Sequence, residues 1–448
     1  MFKNGFLWGA ASAAHQIEGA YLDDGKGLGY WDHVEQQKNQ IKHGERADVA
    51  CDHYHRYKED VALMKKIGLK SYRFSISWPR VLPEGTGKVN EKGLQFYSDL
   101  VDELVAAGIE PMVTLYHWNI PLVLYEMGGW QNDDSPRWFE EYVKVIVDAL
   151  SNRVKYWMTF NEPQMFVGVE GMRLKDSLPE DEGIAAVMTI SKNVFLAHGK
   201  AVSVIRKYAK QPAMVSMAPT GSVFLPKDSS KEAIETARAK SFQTNAEFMF
   251  GNSWWADPIY LGHFPEDAVE LFGDKLPVFS QEEWAEIAQP LDFYGFNVYD
   301  AKVTFPPAEF SYDEYAYQGS PRTAMDWNVT PEVMYWSSRF LYERYQRPLL
   351  ITENGMAGMD WVCLDGEVHD PQRIDFLNRY LLCLEKAIDE GIPVIGYQYW
   401  SIMDNFEWFS GFDKRFGLIY IDYRTQERTL KDSAYWYREV IRNNGSNL

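Results

Sequence analysis

Two glutamates stand where strand-like stretches of the chain end. Glu353 directly follows the strand-like run 348–352, and Glu162 comes shortly after the apolar and aromatic stretch 154–160. A carboxylate at the end of a buried run is costly unless it has a partner, so packing does not account for it. Two such groups supply what carboxylate-pair catalysis needs, one ionised to attack and one protonated to donate. Taken alone, each glutamate is as readily explained by a structural ion pair.

Further polar and aromatic residues occupy the other predicted strand ends. Amides and carboxylates can each bridge two hydroxyl groups, and indole rings offer a flat surface for the C–H face of a sugar. The set comprises Gln16, Arg73, His117, Trp118, Asn161, Asn297, Tyr299, Trp400, Glu407 and Trp408. The alternative explanation for His117 and Asn297 is capping of loop backbone, and for Trp400 it is a place in the core.

Arg73 lies within its predicted strand, so its side chain could point to the axis below the strand ends. A guanidinium near Glu353 would keep that carboxylate ionised, and Tyr299 could hydrogen-bond the same group. Glu162 would need the opposite surroundings, a less polar pocket and a negative neighbour, which would raise its pKa. A buried structural ion pair is the alternative role for Arg73.

The elements that would position these residues alternate between strand and helix. Strands are predicted at 6–14, 70–77, 111–116, 154–160, 213–217, 292–299, 348–353 and 393–400. Helices are predicted at 54–67, 90–107, 136–150, 184–209, 231–252, 331–345, 371–390 and 430–442, with Asn90 and Ser135 as candidate caps. This alternation predicts an α/β fold, a closed (β/α)8 barrel of parallel strands whose C-terminal ends face one mouth.

No repeat or linker-like composition divides the chain, so residues 1–448 are predicted to form one domain. The prolines at 306–307 and the stretch 319–321 indicate a loop insertion within it. The last residues, 443–448, are predicted to be frayed.

Composition excludes several classes of partner. The net charge of −19 disfavours nucleic acid and anionic membranes, and no run of about 18 apolar residues predicts a membrane span. The N-terminus lacks the pattern of a secretory signal, and the three cysteines, Cys51, Cys363 and Cys383, form no framework or CxxC pair. A cytoplasmic protein is therefore expected. The nine histidines form no metal signature, so no metal is expected.

Six stretches together resemble glycoside hydrolase family 1, the β-glucosidase family. They include Thr-Phe-Asn-Glu-Pro at 159–163 and Ile-Thr-Glu-Asn-Gly at 351–355, and the others lie at 6–19, 72–80, 116–118 and 399–408. The resemblance extends over residues 6–436, nearly the whole chain. The motifs are highly specific in combination, although Asn-Glu-Pro alone would not be.

The resemblance implies a retaining, exo-acting β-glucosidase that works by double displacement without a cofactor. It assigns Glu353 as nucleophile and Glu162 as acid/base, with carboxyl groups about 5–5.5 Å apart. It also implies a small-molecule substrate, β-glucosides and cello-oligosaccharides, with β-galactosides and β-fucosides also accepted. The remaining residues would hold or stack on the terminal sugar (Gln16, His117, Trp118, Asn161, Trp400, Glu407, Trp408) or surround the nucleophile (Arg73, Asn297, Tyr299).

Glu407 bears on the nearest alternative, a 6-phospho-β-glucosidase. Family members that act on 6-phosphorylated sugars resemble one another in carrying serine at this position, and a carboxylate here would repel a phosphate. Unphosphorylated glycosides are therefore favoured. A catalytically silent sugar-binding protein would lack Glu162 or Glu353, whereas the sequence leaves transglycosylation and a homo-oligomer open.

The chain departs from the family pattern on the leaving-group side. Gln164 and Asn119 stand where the family usually has Trp and Asp, and the stretch 172–179 replaces a segment rich in Gly and Pro. These changes leave the preferred leaving group undefined and predict a more open entrance.

Overall fold

A computed structural model describes residues 1–303 and 319–448. Eight strands form one parallel sheet, in the chain order β1 to β8: Leu7–Ala11, Ser71–Ser75, Glu110–Tyr116, Tyr156–Asn161, Met214–Ala218, Tyr294–Asn297, Leu349–Asn354 and Val394–Trp400. Their spatial order is β5-β4-β3-β2-β1-β8-β7-β6, so β1 pairs with β8 and the sheet curls round. The predicted (β/α)8 barrel is confirmed.

The seam between β5 and β6 is closed differently from the other strand pairs. The Gly295 backbone amide donates to the Ser216 hydroxyl at 3.0 Å, and the Asn297 backbone amide donates to the Pro219 carbonyl at 2.9 Å. A third bond joins the Asp292 amide to the Val215 carbonyl at 3.0 Å. A side chain thus takes part in closing the barrel.

Helices surround the strands. The longer ones are His53–Ile67, Glu91–Ala107, Ser135–Leu150, Pro163–Ser177, Glu180–Tyr208, Lys231–Phe242, Asn252–Tyr260, Val333–Tyr345, Pro371–Asp389 and Asp432–Arg442. Shorter α-helices are Ala14–Ile17, Tyr30–Gln36, Trp78–Val81, Leu122–Glu126, Glu266–Phe272 and Gln281–Ile287. Single 3₁₀ turns are Asp23–Gly25, Lys42–Gly44, Gly129–Gln131, Phe248–Phe250, Gly273–Lys275 and Trp408–Ser410.

Two small ribbons complete the described structure. Phe224–Leu225 pairs in parallel with Lys302–Val303, and Ile419–Ile421 pairs antiparallel with Arg428–Leu430. The prolines predicted to mark an insertion at 306–307 lie outside the described residues.

Three local expectations differ from the structure. Ser135 is the first residue of its helix and not its cap, because Asp134 precedes it at the cap position. The helix predicted at 231–252 ends at Phe242, and a separate helix begins at Asn252 after Gly251. The helix Pro163–Ser177 was not predicted, since its two glycines and leading proline are typical of loops.

The C-terminal tail, predicted to be frayed, makes contacts with the N-terminal strand. The Trp8 indole donates to the Asn444 side chain at 3.0 Å, and the Asn444 amide donates to the Phe2 carbonyl at 2.9 Å. Gly445 is buried. These bonds hold the tail as far as Gly445.

Inside the barrel an apolar layer supports a polar one. Met112, Met158 and Leu350 pack together within the barrel with no exposure to solvent. Because side chains along a strand alternate in direction, Thr114 and Thr352, two residues further along their strands, share that orientation. The barrel therefore has a solid apolar floor, and its mouth is the place where polar side chains meet.

Candidate active site

The ends of three strands bring the two predicted carboxylates to one mouth. Glu353 is the penultimate residue of β7, and Asn297 at the end of β6 lies in register with it. Glu162 directly follows the last residue of β4. It has a left-handed backbone conformation, with φ of 42°, which is unusual for a residue other than glycine. Strained backbone of this kind is often found where a side chain is held for function.

Glu353 is buried against a cation and a phenol. Arg73 donates to its Oε1 at 2.6 Å and the Tyr299 hydroxyl donates to its Oε2 at 2.6 Å. Arg73 is itself fixed by Thr114 at 2.9 Å and Asn161 at 2.6 Å. Burial raises the pKa of Glu353, and the Arg73 charge and the Tyr299 hydrogen bond oppose that rise. Of the two carboxyl groups, this one ionises first.

Within residues 1–303 and 319–448, no cation contacts the Glu162 carboxyl group. Its Oε1 accepts one hydrogen bond, from the Asn297 amide at 2.9 Å. Burial, followed by the negative charge of Glu353, raises the pKa of Glu162 to about 8. The environment that the sequence predicted for an acid, a low-polarity pocket with a negative neighbour, is the one that the structure shows.

Asn297 and Asn161 connect the two carboxyl groups. The Asn297 amide also donates to Asn161 Oδ1 at 3.0 Å, while Thr352 donates to Asn297 Oδ1 at 2.6 Å. Trp118 donates from its indole to the Asn161 carbonyl at 2.9 Å. The sequence analysis missed the two supporting threonines, Thr114 and Thr352. Each lies two residues after an inward-facing residue of its strand, Met112 or Leu350.

A second polar group stands across the mouth. Gln16 donates to the Phe406 carbonyl at 2.8 Å and to Glu407 Oε2 at 3.3 Å. Burial, and then the negative charge of Glu353, raises the pKa of Glu407 to about 8. The buried Gln16 Oε1 has no hydrogen-bond partner within residues 1–303 and 319–448. A buried acceptor without a partner can receive a hydroxyl from a ligand.

His117 offers a matching donor. Its ring lies nearly parallel to those of Trp400 and Trp408, with centroids 5.8 and 5.9 Å away. The Asn161 amide lies 3.2 Å from Nε2, so that Nε2 accepts and Nδ1 carries the hydrogen. Burial lowers the pKa of His117 well below its usual range, so the ring is neutral. Nδ1 has no partner in the part of the chain that the structure describes.

These side chains surround one cavity of about 480 Å³. Of the twelve residues predicted for the site, ten line it: His117, Trp118, Asn161, Glu162, Asn297, Tyr299, Glu353, Trp400, Glu407 and Trp408. Gln16 and Arg73 are fully buried behind that wall, where they hold Glu407 and Glu353. The volume is that of a site for a small molecule.

Several residues of the cavity were missed by the sequence analysis. One wall is the helix Pro163–Ser177, and the others are aromatic side chains from two short helices, a 3₁₀ turn and a loop. The missed set includes Tyr30, Tyr125, Trp130, Met165, Phe166, Val169, Glu170 and Trp327. The helical spacing of 165, 166, 169 and 170 could have revealed the first of these walls.

Two searches of the described residues gave negative results. No group of three or more His, Cys, Asp or Glu side chains in residues 1–303 and 319–448 is placed to hold a metal ion. No helix in the same residues is both long and apolar enough to cross a membrane. The surroundings of Glu353 and Glu162 suit nucleophilic attack by one carboxyl group and proton transfer by the other.

Comparisons with known proteins agree over the full chain. The sequence model of glycosyl hydrolase family 1 matches residues 1–446. Beta-glucosidase A of Thermotoga maritima is 42% identical over 446 residues, which cover 99% of this chain and 98% of that protein. Beta-glucosidase A of Acetivibrio thermocellus is 41% identical, covering 99% of both chains.

A solved structure also matches this chain over nearly its whole length. The beta-glucosidase from Thermotoga maritima in complex with deoxynojirimycin superposes with a TM-score of 0.88, at 40% identity and 99% coverage of each chain. A match of this extent includes every strand of the barrel and both glutamate-bearing strand ends. The chain belongs to glycosyl hydrolase family 1.

Proposed function

We propose that the protein is a retaining, exo-acting β-glucosidase that removes terminal non-reducing β-D-glucosyl residues. The observation that carries this proposal is the pair of buried carboxyl groups in opposite surroundings. Glu353 contacts Arg73 and Tyr299, whereas the one hydrogen bond to the Glu162 carboxyl group from the described residues comes from the neutral Asn297. Residues 1–448 act as one catalytic unit in this proposal, and the reaction requires no cofactor.

In the first step the Glu353 carboxylate attacks the anomeric carbon while Glu162 gives its proton to the leaving oxygen. The bond to the leaving group breaks, and an ester joins the sugar to Glu353. Burial and the negative charge of Glu353 together raise the pKa of Glu162, and esterification removes that charge. Glu162 then accepts a proton from water, which attacks the anomeric carbon and releases Glu353. The carboxyl separation of about 5–5.5 Å expected for this mechanism stays a prediction.

The sugar is held by groups that complement its hydroxyls. The free donor of His117 suits one hydroxyl, and Asn161 and Glu407 present amide and carboxyl groups beside it, with Gln16 holding Glu407 from behind the wall. Trp400 supplies a face for stacking, with Trp408 and Trp118 closing the pocket. We extend the proposal to β-galactosides and β-fucosides, as the family resemblance of the sequence implies.

A 6-phosphorylated sugar fits this cavity poorly. Among the described residues no lysine or arginine lines it, and residues 304–318 contain neither residue type. Lys414 donates to the Ala324 carbonyl at 2.5 Å. A phosphate binds well where Arg or Lys can pair with it. The negative charge that Glu407 develops above about pH 8 adds repulsion.

Proton NMR of the first product tests the proposal. With 4-nitrophenyl β-glucoside, β-glucose should form before mutarotation produces the α-anomer. Glu353→Ala should abolish turnover, and added azide should restore it with an α-glucosyl azide as product. Initial release of α-glucose would show inversion and reject the assignment, as would near-normal turnover of Glu353→Ala.

A further inference from the structure

The cavity continues past Glu162 along the helix Pro163–Ser177. Met165, Phe166, Val169 and Glu170 are partly exposed and line it, whereas Val167 between them is buried. Positions three and four apart on a helix share a face, so these four side chains form one surface. We refer to Met165, Phe166, Val169 and Glu170 as the leaving-group wall.

This wall is held rigidly. A Cβ at Gly168 would lie 2.2 Å from the Phe250 ring, and one at Gly171 would lie 3.0 Å from Val187. Gly168 therefore lets the helix approach Phe250 more closely than a larger residue would allow, and Gly171 leaves little room for a side chain beside Val187. Phe166 packs edge-on against Tyr116, with ring centroids 5.1 Å apart. A rigid wall binds a ring without the entropic cost of ordering the side chains of the wall.

The facing side of this half is aromatic. Tyr30 and Tyr125 contact one another with centroids 4.5 Å apart, and both line the cavity. Burial, and then the neighbouring Tyr125, raises the pKa of Tyr30 to about 12, so its hydroxyl stays neutral. Glu170, Tyr30 and Tyr125 all line the cavity, so an occupant of this half lies among an apolar wall and two phenol rings. The more open entrance expected from the sequence stays a prediction.

The hydrogen-bonding groups differ between the two halves of the cavity. The Glu170 carboxylate accepts two hydrogen bonds from the Arg173 guanidinium, at 2.5 and 2.9 Å. Thr220, Ser222 and Asp300, on the loops that follow β5 and β6, form the largest group of other polar side chains that line the cavity, and Gln131 and Ser410 line it elsewhere. A second glucose has hydroxyls all round its ring, and those facing apolar side chains would lose water without gaining a partner.

We propose that the leaving-group half of the cavity selects an aromatic alcohol over a second sugar. The inference rests on the β-glucosidase function proposed above and names the class of β-glucoside that the enzyme prefers. Phe166 is its main determinant, since it presents the largest apolar surface of the wall. The ring packs between the leaving-group wall and the tyrosines, with any polar substituent directed to the β5 and β6 edge.

Three substrates isolate this preference from leaving-group acidity. Methyl β-glucoside has almost no leaving group to bind, cellobiose has a sugar, and benzyl β-glucoside has an aromatic ring on an alcohol no more acidic than a sugar hydroxyl. The kcat/KM for benzyl β-glucoside should exceed that for cellobiose by about tenfold or more, as expected for an apolar group in a fitting pocket.

Variants then locate the determinant. Phe166→Ala should lower kcat/KM for benzyl β-glucoside about tenfold and change methyl β-glucoside less than about twofold. Met172→Ala is the matched control, since Met172 lies on the same helix, is 48% exposed and does not line the cavity. It should leave all three rates unchanged. If Phe166→Ala does not fold, Val169→Asn provides the same comparison.

The outcomes separate this inference from the proposed function. Hydrolysis of methyl β-glucoside with cellobiose equal to or better than benzyl β-glucoside would overturn the inference and leave the function intact. Equal losses on benzyl and methyl β-glucoside in Phe166→Ala, or in Val169→Asn if that variant is used, would do the same. Absence of hydrolysis of every β-glucoside would reject the function itself.

Discussion

Two glutamates of identical chemistry are given different surroundings by what lies within 3 Å of each. Glu353 has Arg73 and Tyr299 at 2.6 Å, and Glu162 has the Asn297 side-chain amide at 2.9 Å. Burial raises both pKa values and the Arg73 charge opposes both rises, but of the two glutamates Arg73 contacts Glu353, where its charge is the largest opposing influence. The proton that remains on the pair at neutral pH is therefore placed on Glu162.

Replacement of Glu162 should affect poor leaving groups most. Glu162→Gln should lower kcat/KM for cellobiose by about 10²–10⁴-fold and that for 2,4-dinitrophenyl β-glucoside far less, because an acidic phenol leaves without protonation. Steady-state kinetics on both substrates measure the difference. Equal losses on the two would remove Glu162 from the role of acid.

The same residue should set the alkaline limb of the pH profile. Glu162 holds its proton up to about pH 8, so kcat/KM for cellobiose should fall as the pH rises through that value. The fall should be absent from kcat/KM of Glu162→Gln with the dinitrophenyl substrate. An alkaline limb that persists unchanged in the variant would assign it to another group.

Glu407 should reduce stability at alkaline pH. Its folded-state pKa of about 8 is above the ordinary value. The contribution of protonated Glu407 to folding stability is therefore complete at low pH and is lost as the pH rises toward about 8. Glu407→Gln lacks this titration. The melting temperature of the variant relative to the natural protein should therefore increase between about pH 5 and about pH 9, while activity is lost. A difference that does not change with pH would contradict the burial argument.

At the scale of elements, one of the hydrogen bonds that close the β5–β6 seam is accepted by a side-chain hydroxyl. Ser216 accepts the Gly295 amide and also contacts the Tyr260 hydroxyl at 2.9 Å. Ser216→Ala leaves a buried amide without its acceptor and should cost about 1–3 kcal/mol in the free energy of unfolding, measured with urea.

A matched control exists in Ser338, which is fully buried and whose hydroxyl has no partner among the described residues. Ser338→Ala should change the unfolding free energy by less than about 0.5 kcal/mol or increase it. Equal losses in the two variants would show that cavity formation, and not the seam, accounts for the effect.

The sequence predicted the barrel because each strand reads as a run of apolar and β-branched residues between clear breaks. It predicted the carboxylates because polar residues at the ends of such runs have no packing role. It could not predict the helix Pro163–Ser177, since Gly168 and Gly171 break helices in general and here allow close packing against Phe250 and Val187. Hydrogen bonds across the barrel, such as Arg73 to Thr114, need the strand register, which no local pattern contains.

At the scale of the whole molecule, a buried ion network joins the C-terminal helix to the loops of the mouth. Lys431 is fully buried and donates to Asp404 at 2.6 Å and Asp360 at 2.5 Å. Arg373 donates to Asp360 at 2.6 Å. Since Asp404 lies three residues before Glu407, the network fixes the loop that carries a residue of the sugar pocket.

Lys431→Met should leave buried carboxylates short of a cation and destabilise the protein by about 3–5 kcal/mol. Lys144→Met removes an ion pair whose side chains are 47% exposed and should leave the free energy of unfolding nearly unchanged. Chemical unfolding of both variants measures the contrast, and a small loss in Lys431→Met would show that the network has little structural role.

The covalent intermediate on Glu353 is tested most directly by trapping it. A 2-deoxy-2-fluoro-β-glucoside with an excellent leaving group should react once and stall, because fluorine at C2 disfavours the oxocarbenium-like transition state of hydrolysis. Mass spectrometry should then show one fluoroglucosyl group per chain, on the peptide that contains Glu353. A label on any other residue would contradict the account, as would continued turnover without a label.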